Sequence, residues 1–106
     1  MWFIKKNVPD LRKQDREIID SMEPIFDVIL AKVSDDNVSI EVDKLKEMVH
    51  YLVPSPEKKI ISLDQEIKNQ IDDLKTDVVK EKLSVDKIIQ GLKDIHVSIA
   101  QRNSRV

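Results

Sequence analysis

A chain of 106 residues allows one domain with a single modest core, and not two. It is 41% hydrophobic and 36% charged, with one glycine and few aromatic residues, which favours helices joined by short loops over strands and tight turns. The net charge of −2 is not the basic excess of a nucleic-acid binder, and the lack of cysteine excludes disulfides, a thiol nucleophile and cysteine-ligated zinc or iron–sulfur sites.

The first residues, "MWFIKK", place Trp2, Phe3 and Ile4 directly before Lys5 and Lys6. No apolar signal-like run follows, which fits a cytoplasmic protein. Three readings compete for this stretch. It folds back to cap the bundle, or it offers an apolar patch to a protein partner, or it seats Trp2 and Phe3 at a membrane surface with the lysines on headgroups. The acids that follow oppose the membrane reading. Trp2, Phe3, Ile4, Lys5 and Lys6 are therefore the candidate partner-binding residues.

A helical pattern begins at Asp10, with Ile18, Met22, Ile25 and Ile29 on one face. Pro24 interrupts it. Asp20 with Glu23 has capping-box spacing, so the pattern predicts a break near Asp20-Ser21 rather than a kink.

The loop "SDDNVS" follows, and Ser39 is the expected cap of a second helix bearing Leu45, Met48, Val49 and Leu52. From Asp35 the alternate positions carry Asp35, Asn37, Ser39, Glu41 and Asp43, as in a calcium loop between helices. The sixth position is Ile40 where glycine is needed, and the twelfth is Lys46 where a bidentate Glu is needed, so calcium is not expected. The two prolines of "PSP" (54–56) end this helix.

Ser62 with Gln65 forms a second capping-box pattern and predicts a third helix with the stripe Leu63, Ile67, Ile71, Leu74 and Val78. Asp64 is read as complementing the helix dipole and pairing with Lys68 on the outer face. The last helix is capped by Ser84 and carries Val85, Ile88, Leu92, Ile95 and Ile99, with Arg102 and Arg105 complementing its C-terminal end. His96 is expected half-buried at the edge of that stripe, and His50 solvated. Ser84, Gly91 and Ser98 recur every seven residues, a line of small side chains suited to a close helix contact within the chain or with a partner.

The expected fold is all-α: a small four-helix bundle, or five-helix if Pro24 breaks the first, with antiparallel neighbours. Expected spans are 10–33, 40–53, 62–82 and 85–102, in a single domain 1–106 with an N-terminal segment 1–9 and a tail 103–106. No acid–base or nucleophile constellation and no phosphate-cradling glycine loop occurs, so no catalytic, metal or cofactor residues are assigned. The leading functional expectation is a non-enzymatic protein–protein interaction or regulatory protein, with a second copy of the chain as one conceivable partner. The alternative is a small DNA-binding regulator using the helix that carries Lys44, Lys46 and His50, against which Glu41, Asp43 and Glu47 argue. A peripheral membrane protein is the further alternative.

Overall fold

Asp10 opens the first helix: its carboxylate accepts the Lys13 backbone N–H at 3.1 Å, satisfying an amide that the first turn leaves free. In the computed structural model, which describes residues 10–106, five helical segments follow: α1 (Leu11–Asp20), α2 (Met22–Lys32), α3 (Asp36–His50), α4 (Lys58–Val79) and α5 (Val85–Ser104). Among the described residues no strand occurs, and α1 and α2 run on as one interrupted arm, so the fold is an all-α bundle of four arms.

The break falls at Ser21, as the sequence predicts, but without the Asp20–Glu23 capping box. Ser21 keeps helical angles, its hydroxyl donates to the Ile18 carbonyl at 2.6 Å, and α2 begins with no side-chain cap. Pro24 is the third residue of α2, where the missing N–H costs no helical hydrogen bond.

Two helix starts differ from expectation. The second predicted helix begins at Asp36, not at 40, because Asp35 rather than Ser39 caps it by accepting the Val38 N–H at 3.1 Å. The residues Asn37, Ser39, Glu41 and Asp43, which alternate like calcium ligands in sequence, therefore lie on α3 itself. The third begins at Lys58, so Ser62 lies inside α4 and its capping box does not form. This helix also stops earlier, at Val79. Glu81 takes φ 56° while Lys82 N–H reaches the Asp77 carbonyl and Glu81 N–H the Val78 carbonyl, both at 3.0 Å. That is a Schellman ending built on a glutamate where glycine is usual. At the other terminus α5 continues through Ser104 into the stretch expected to be a tail.

Consecutive arms alternate in direction. His50 meets Glu23 and Lys46 meets Asp27 across the first hairpin, while Arg102 meets Asp64 and Gly91 meets Leu74 across the second. The α1–α2 arm packs on α3 and α4, and α5 packs on α3 and α4, whereas the backbones of α3 and α4 nowhere bring Cα atoms within 8 Å of each other. These two are thus diagonal in the ring, and the first arm runs parallel beside α4. Segment 51–57 joins them by crossing over one end of the bundle. Neighbouring axes about 10 Å apart give a diagonal of roughly 14 Å, too long for a two-residue turn but within reach of this segment.

The core is a continuous cluster of aliphatic side chains with Met22 and Phe26, contributed by every arm. Its largest wholly enclosed apolar members are Phe26, Met22, Ile29, Ile67, Ile71, Leu92, Ile95 and Ile99. Each such burial contributes about 2 kcal/mol relative to exposure. The buried face of the first arm centres on Ile19, Met22, Phe26 and Ile29, with Ile18 and Ile25 at its margin. Val85, expected in the stripe of α5, is exposed at the first residue of that helix.

Candidate functional site: a buried charge cluster under the crossing segment

Three charged side chains are buried at the end of the bundle that segment 51–57 crosses: Asp15 of α1, Asp64 of α4 and Arg102 of α5. Each continues an apolar stripe. Asp15 lies four residues before Ile19, Asp64 stands between Ile60 and Ile67, and Arg102 follows Ile99 by three. Helical periodicity carries them into the core with their apolar neighbours.

The Arg102 guanidinium donates to both Asp64 oxygens, from Nε at 2.9 Å to Oδ1 and from Nη2 at 3.2 Å to Oδ2. The same Nη2 donates to the Val53 carbonyl at 2.7 Å and lies 3.5 Å from Asp15 Oδ2, while Nη1 reaches Asn103 Oδ1 at 3.2 Å. Asp15 Oδ2 in turn accepts the Ser55 backbone N–H at 2.8 Å. Ser55, itself buried, uses its hydroxyl to accept the Glu57 N–H at 3.1 Å. The crossing segment is thereby tied at two backbone points, Val53 to a cation and Ser55 to an anion. Such charge-assisted bonds are stronger than neutral ones, and the two-point guanidinium–carboxylate pair fixes orientation as well.

Two carboxyl groups share one guanidinium. Burial, followed by a hydrogen bond that its neutral form donates to Asp15, pushes Asp64 up to about 7 against the opposing pull of Arg102. Asp15 Oδ1 is, among the described residues, the one buried side-chain polar atom without a hydrogen-bond partner. Solvent reaches none of the three groups, so the chemistry open to the cluster is proton binding and chain tying.

Sequence reasoning missed this cluster. It set Asp64 on the outer face with Lys68 and used Arg102 only as a C-terminal charge. The structure corrects both, because each side chain is in phase with its helix's apolar stripe. That phase was the available signal.

The residues singled out from sequence do not converge on one site. Trp2, Phe3, Ile4, Lys5 and Lys6 lie outside the described residues. Ser84 caps α5 by accepting the Lys87 N–H, and the Ser98 hydroxyl donates back to the Asp94 carbonyl. Gly91 faces Leu74 of α4, whose Cδ1 would sit 2.9 Å from an added Cβ. Its neighbour is thus in the same chain.

His96 is exposed rather than half-buried, because the stripe through Ile95 and Ile99 turns it outward. It borders a strip on the outer face of α5 formed by Lys93, Val97, Ala100, Gln101 and Ser104, where Val97 is 54% exposed. His50 is exposed, as expected, and its Nδ1 lies 2.9 Å from Glu23. Lys44 and Lys46 are engaged by Glu41 and Asp27.

Among the described residues no group of three metal-ligating side chains converges, and no helix is long and apolar enough to cross a membrane. No protein-family model, curated protein or solved structure matches the chain.

Proposed function

We propose that the protein is a non-enzymatic helical interaction module of the cytoplasm, and that it engages another protein through the outer face of α5. The observation that carries this reading is the exposed strip of Val97 and Ala100 on a helix whose opposite face is already committed to the core. An apolar strip left in solvent on a rigid helix suits helix-against-helix recognition. Lys93 and Arg105 stand exposed on the same helix and its end, so the complementary occupant is an amphipathic partner helix with acidic residues beside its apolar stripe. Trp2, Phe3, Ile4, Lys5 and Lys6 are assigned to the same function on their sequence alone. A DNA-binding reading would need Lys44 and Lys46, which are engaged by carboxylates, and it is not favoured.

A photo-crosslinking side chain placed at Val97, with Asn69 on α4 as the control position, tests the proposal in cells. The expected result is one discrete heterologous adduct from position 97 that disappears in the Ala100→Asp background and is absent from position 69. Equal adducts from both positions, no adduct, or an adduct of two copies of this 12.3 kDa chain would overturn it.

A further inference from the structure

We propose that Asp15 and Asp64 are held together by one shared proton, and that its loss loosens the 51–57 crossing: the cluster is a proton-controlled latch on the end of the bundle.

The charge count requires a choice. Two ionised carboxylates against one guanidinium leave a net negative charge in a site that solvent does not reach. Arg102 spends Nε and Nη2 on Asp64 and has only a 3.5 Å approach left for Asp15. Arg102 Nη2 lies 3.2 Å from Asp64 Oδ2 and 3.5 Å from Asp15 Oδ2, so the two carboxyls flank one nitrogen, and among the described residues Asp15 Oδ1 has no hydrogen-bond partner. A proton held between them removes the excess charge and supplies the missing partner at once. A buried unpaired charge is far more costly than a buried neutral acid.

Among the described residues no other charged group supplies the balance. Asp15 faces the site from α1 and Arg102 from α5, with Asn103 beside it. The crossing segment contributes the Val53 carbonyl and the Ser55 N–H, which carry no net charge. On α4 itself the flanking stripe residues are Ile60 and Ile67. The α2 helix also packs on α4, but it turns Glu23 and Asp27 toward His50 and Lys46 of α3.

Once the proton leaves, relief comes on the side of Asp15. Asp64 is held at both oxygens by Arg102, whereas Asp15 is held by one backbone N–H. Water enters between α1 and the crossing segment, and the Ser55 amide is the reporter. Burial pushes Asp64 from 3.8 up to about 7, so the folded state holds a proton that the unfolded state has released across that interval. Stability from this proton is complete below 3.8, declines as pH rises, and is gone above about 7.

The test combines denaturant unfolding with hydrogen exchange of the Ser55 amide, corrected for intrinsic rate, between pH 5 and 8. For the parent chain the folding equilibrium constant is expected to fall about tenfold per pH unit from pH 5 to 7, with Ser55 protection falling in step. In Asp15→Asn, whose carbonyl can accept the Ser55 N–H while its amide donates to Asp64 permanently, that part of the slope disappears; in the surface variant Asp94→Asn it remains. A carboxyl-carbon titration of the parent chain stands in if Asp15→Asn does not fold: one inflection near pH 7 from Asp64 is expected. A flat protection profile, an unchanged slope in Asp15→Asn, or Asp64 titrating in the ordinary carboxylate range would overturn the latch.

Discussion

Arg102 on the last turns of α5 grips both carboxylate oxygens of Asp64 on α4, and with the same Nη2 holds the carbonyl of Val53. One side chain thus ties the second hairpin shut and anchors the segment that links it to the first. The topology explains the demand. Because α3 and α4 are diagonal, their connection runs over the end of the core, where its peptide groups are partly withdrawn from water. Buried peptide groups need partners, and a helix pattern that leads charged residues into the core supplies them.

Removing the cation should expose that dependence. Arg102→Met keeps much of the volume but leaves two buried carboxyls and the Val53 carbonyl without their donor. A loss of about 3–5 kcal/mol is expected at pH 8 by denaturant unfolding. The loss should be smaller at pH 5, where the carboxyls of the variant take up protons and no longer carry uncompensated charge. An equal loss at both pH values would place the effect in packing rather than in charge.

The start of α3 can be located by two single substitutions. Asp35→Ala removes the side chain that accepts the Val38 N–H and should cost about 1 kcal/mol. Ser39→Ala, inside the helix, should change stability by less than about 0.5 kcal/mol, or raise it slightly through helix propensity. Thermal unfolding of the two variants side by side distinguishes a helix that begins at 36 from one that begins at 40.

Glu81 occupies the left-handed region at the end of α4 while its side chain stands in solvent. Its distant pairing with Lys32 at 4.0 Å, between exposed groups, contributes little. Glu81→Gly should therefore stabilise the protein by about 0.5–1 kcal/mol, the relief of left-handed strain exceeding the added freedom of the unfolded chain. Glu81→Ala, which keeps a Cβ, should show no comparable gain in thermal midpoint.

Gly91 sits where α5 comes closest to Leu74. An alanine there gains about 1 kcal/mol of helix propensity and must push only the flexible end of Leu74, so Gly91→Ala should be near neutral. Gly91→Val adds bulk that this end cannot clear and should cost about 1–3 kcal/mol. In a double-mutant cycle with Leu74→Ala, the cost of the valine should shrink, because the shortened neighbour makes room.

Much of the architecture was legible in the residues. The alternation of three and four in Ile88, Leu92, Ile95 and Ile99 specifies a buried face without reference to any neighbour, and α5 packs on that face. Ser84 caps α5 as read, since a cap is a local geometry within a few residues. Caps were misread where several candidates lay close together. Asp35 and Ser39 are both good N-caps, and the choice between them depends on Val38 and Val42 being drawn into the core. The end of α4 escaped notice because its Schellman turn uses Glu81, and no glycine marks it.

The amino-acid pattern alone determined the helical class, the number of arms, the break before Pro24 and most of the core, because these follow from periodicity and steric rules acting over a few residues. Only the tertiary structure decided that α3 and α4 are diagonal, and therefore that segment 51–57 lies over the end of the core. It also decided the meaning of Asp15, Asp64 and Arg102. Each is an ordinary surface residue type, and Asp64 and Arg102 lie 38 positions apart. Their charges acquire a role once folding removes all three from water together, and no local rule reports which distant partner a buried charge will find.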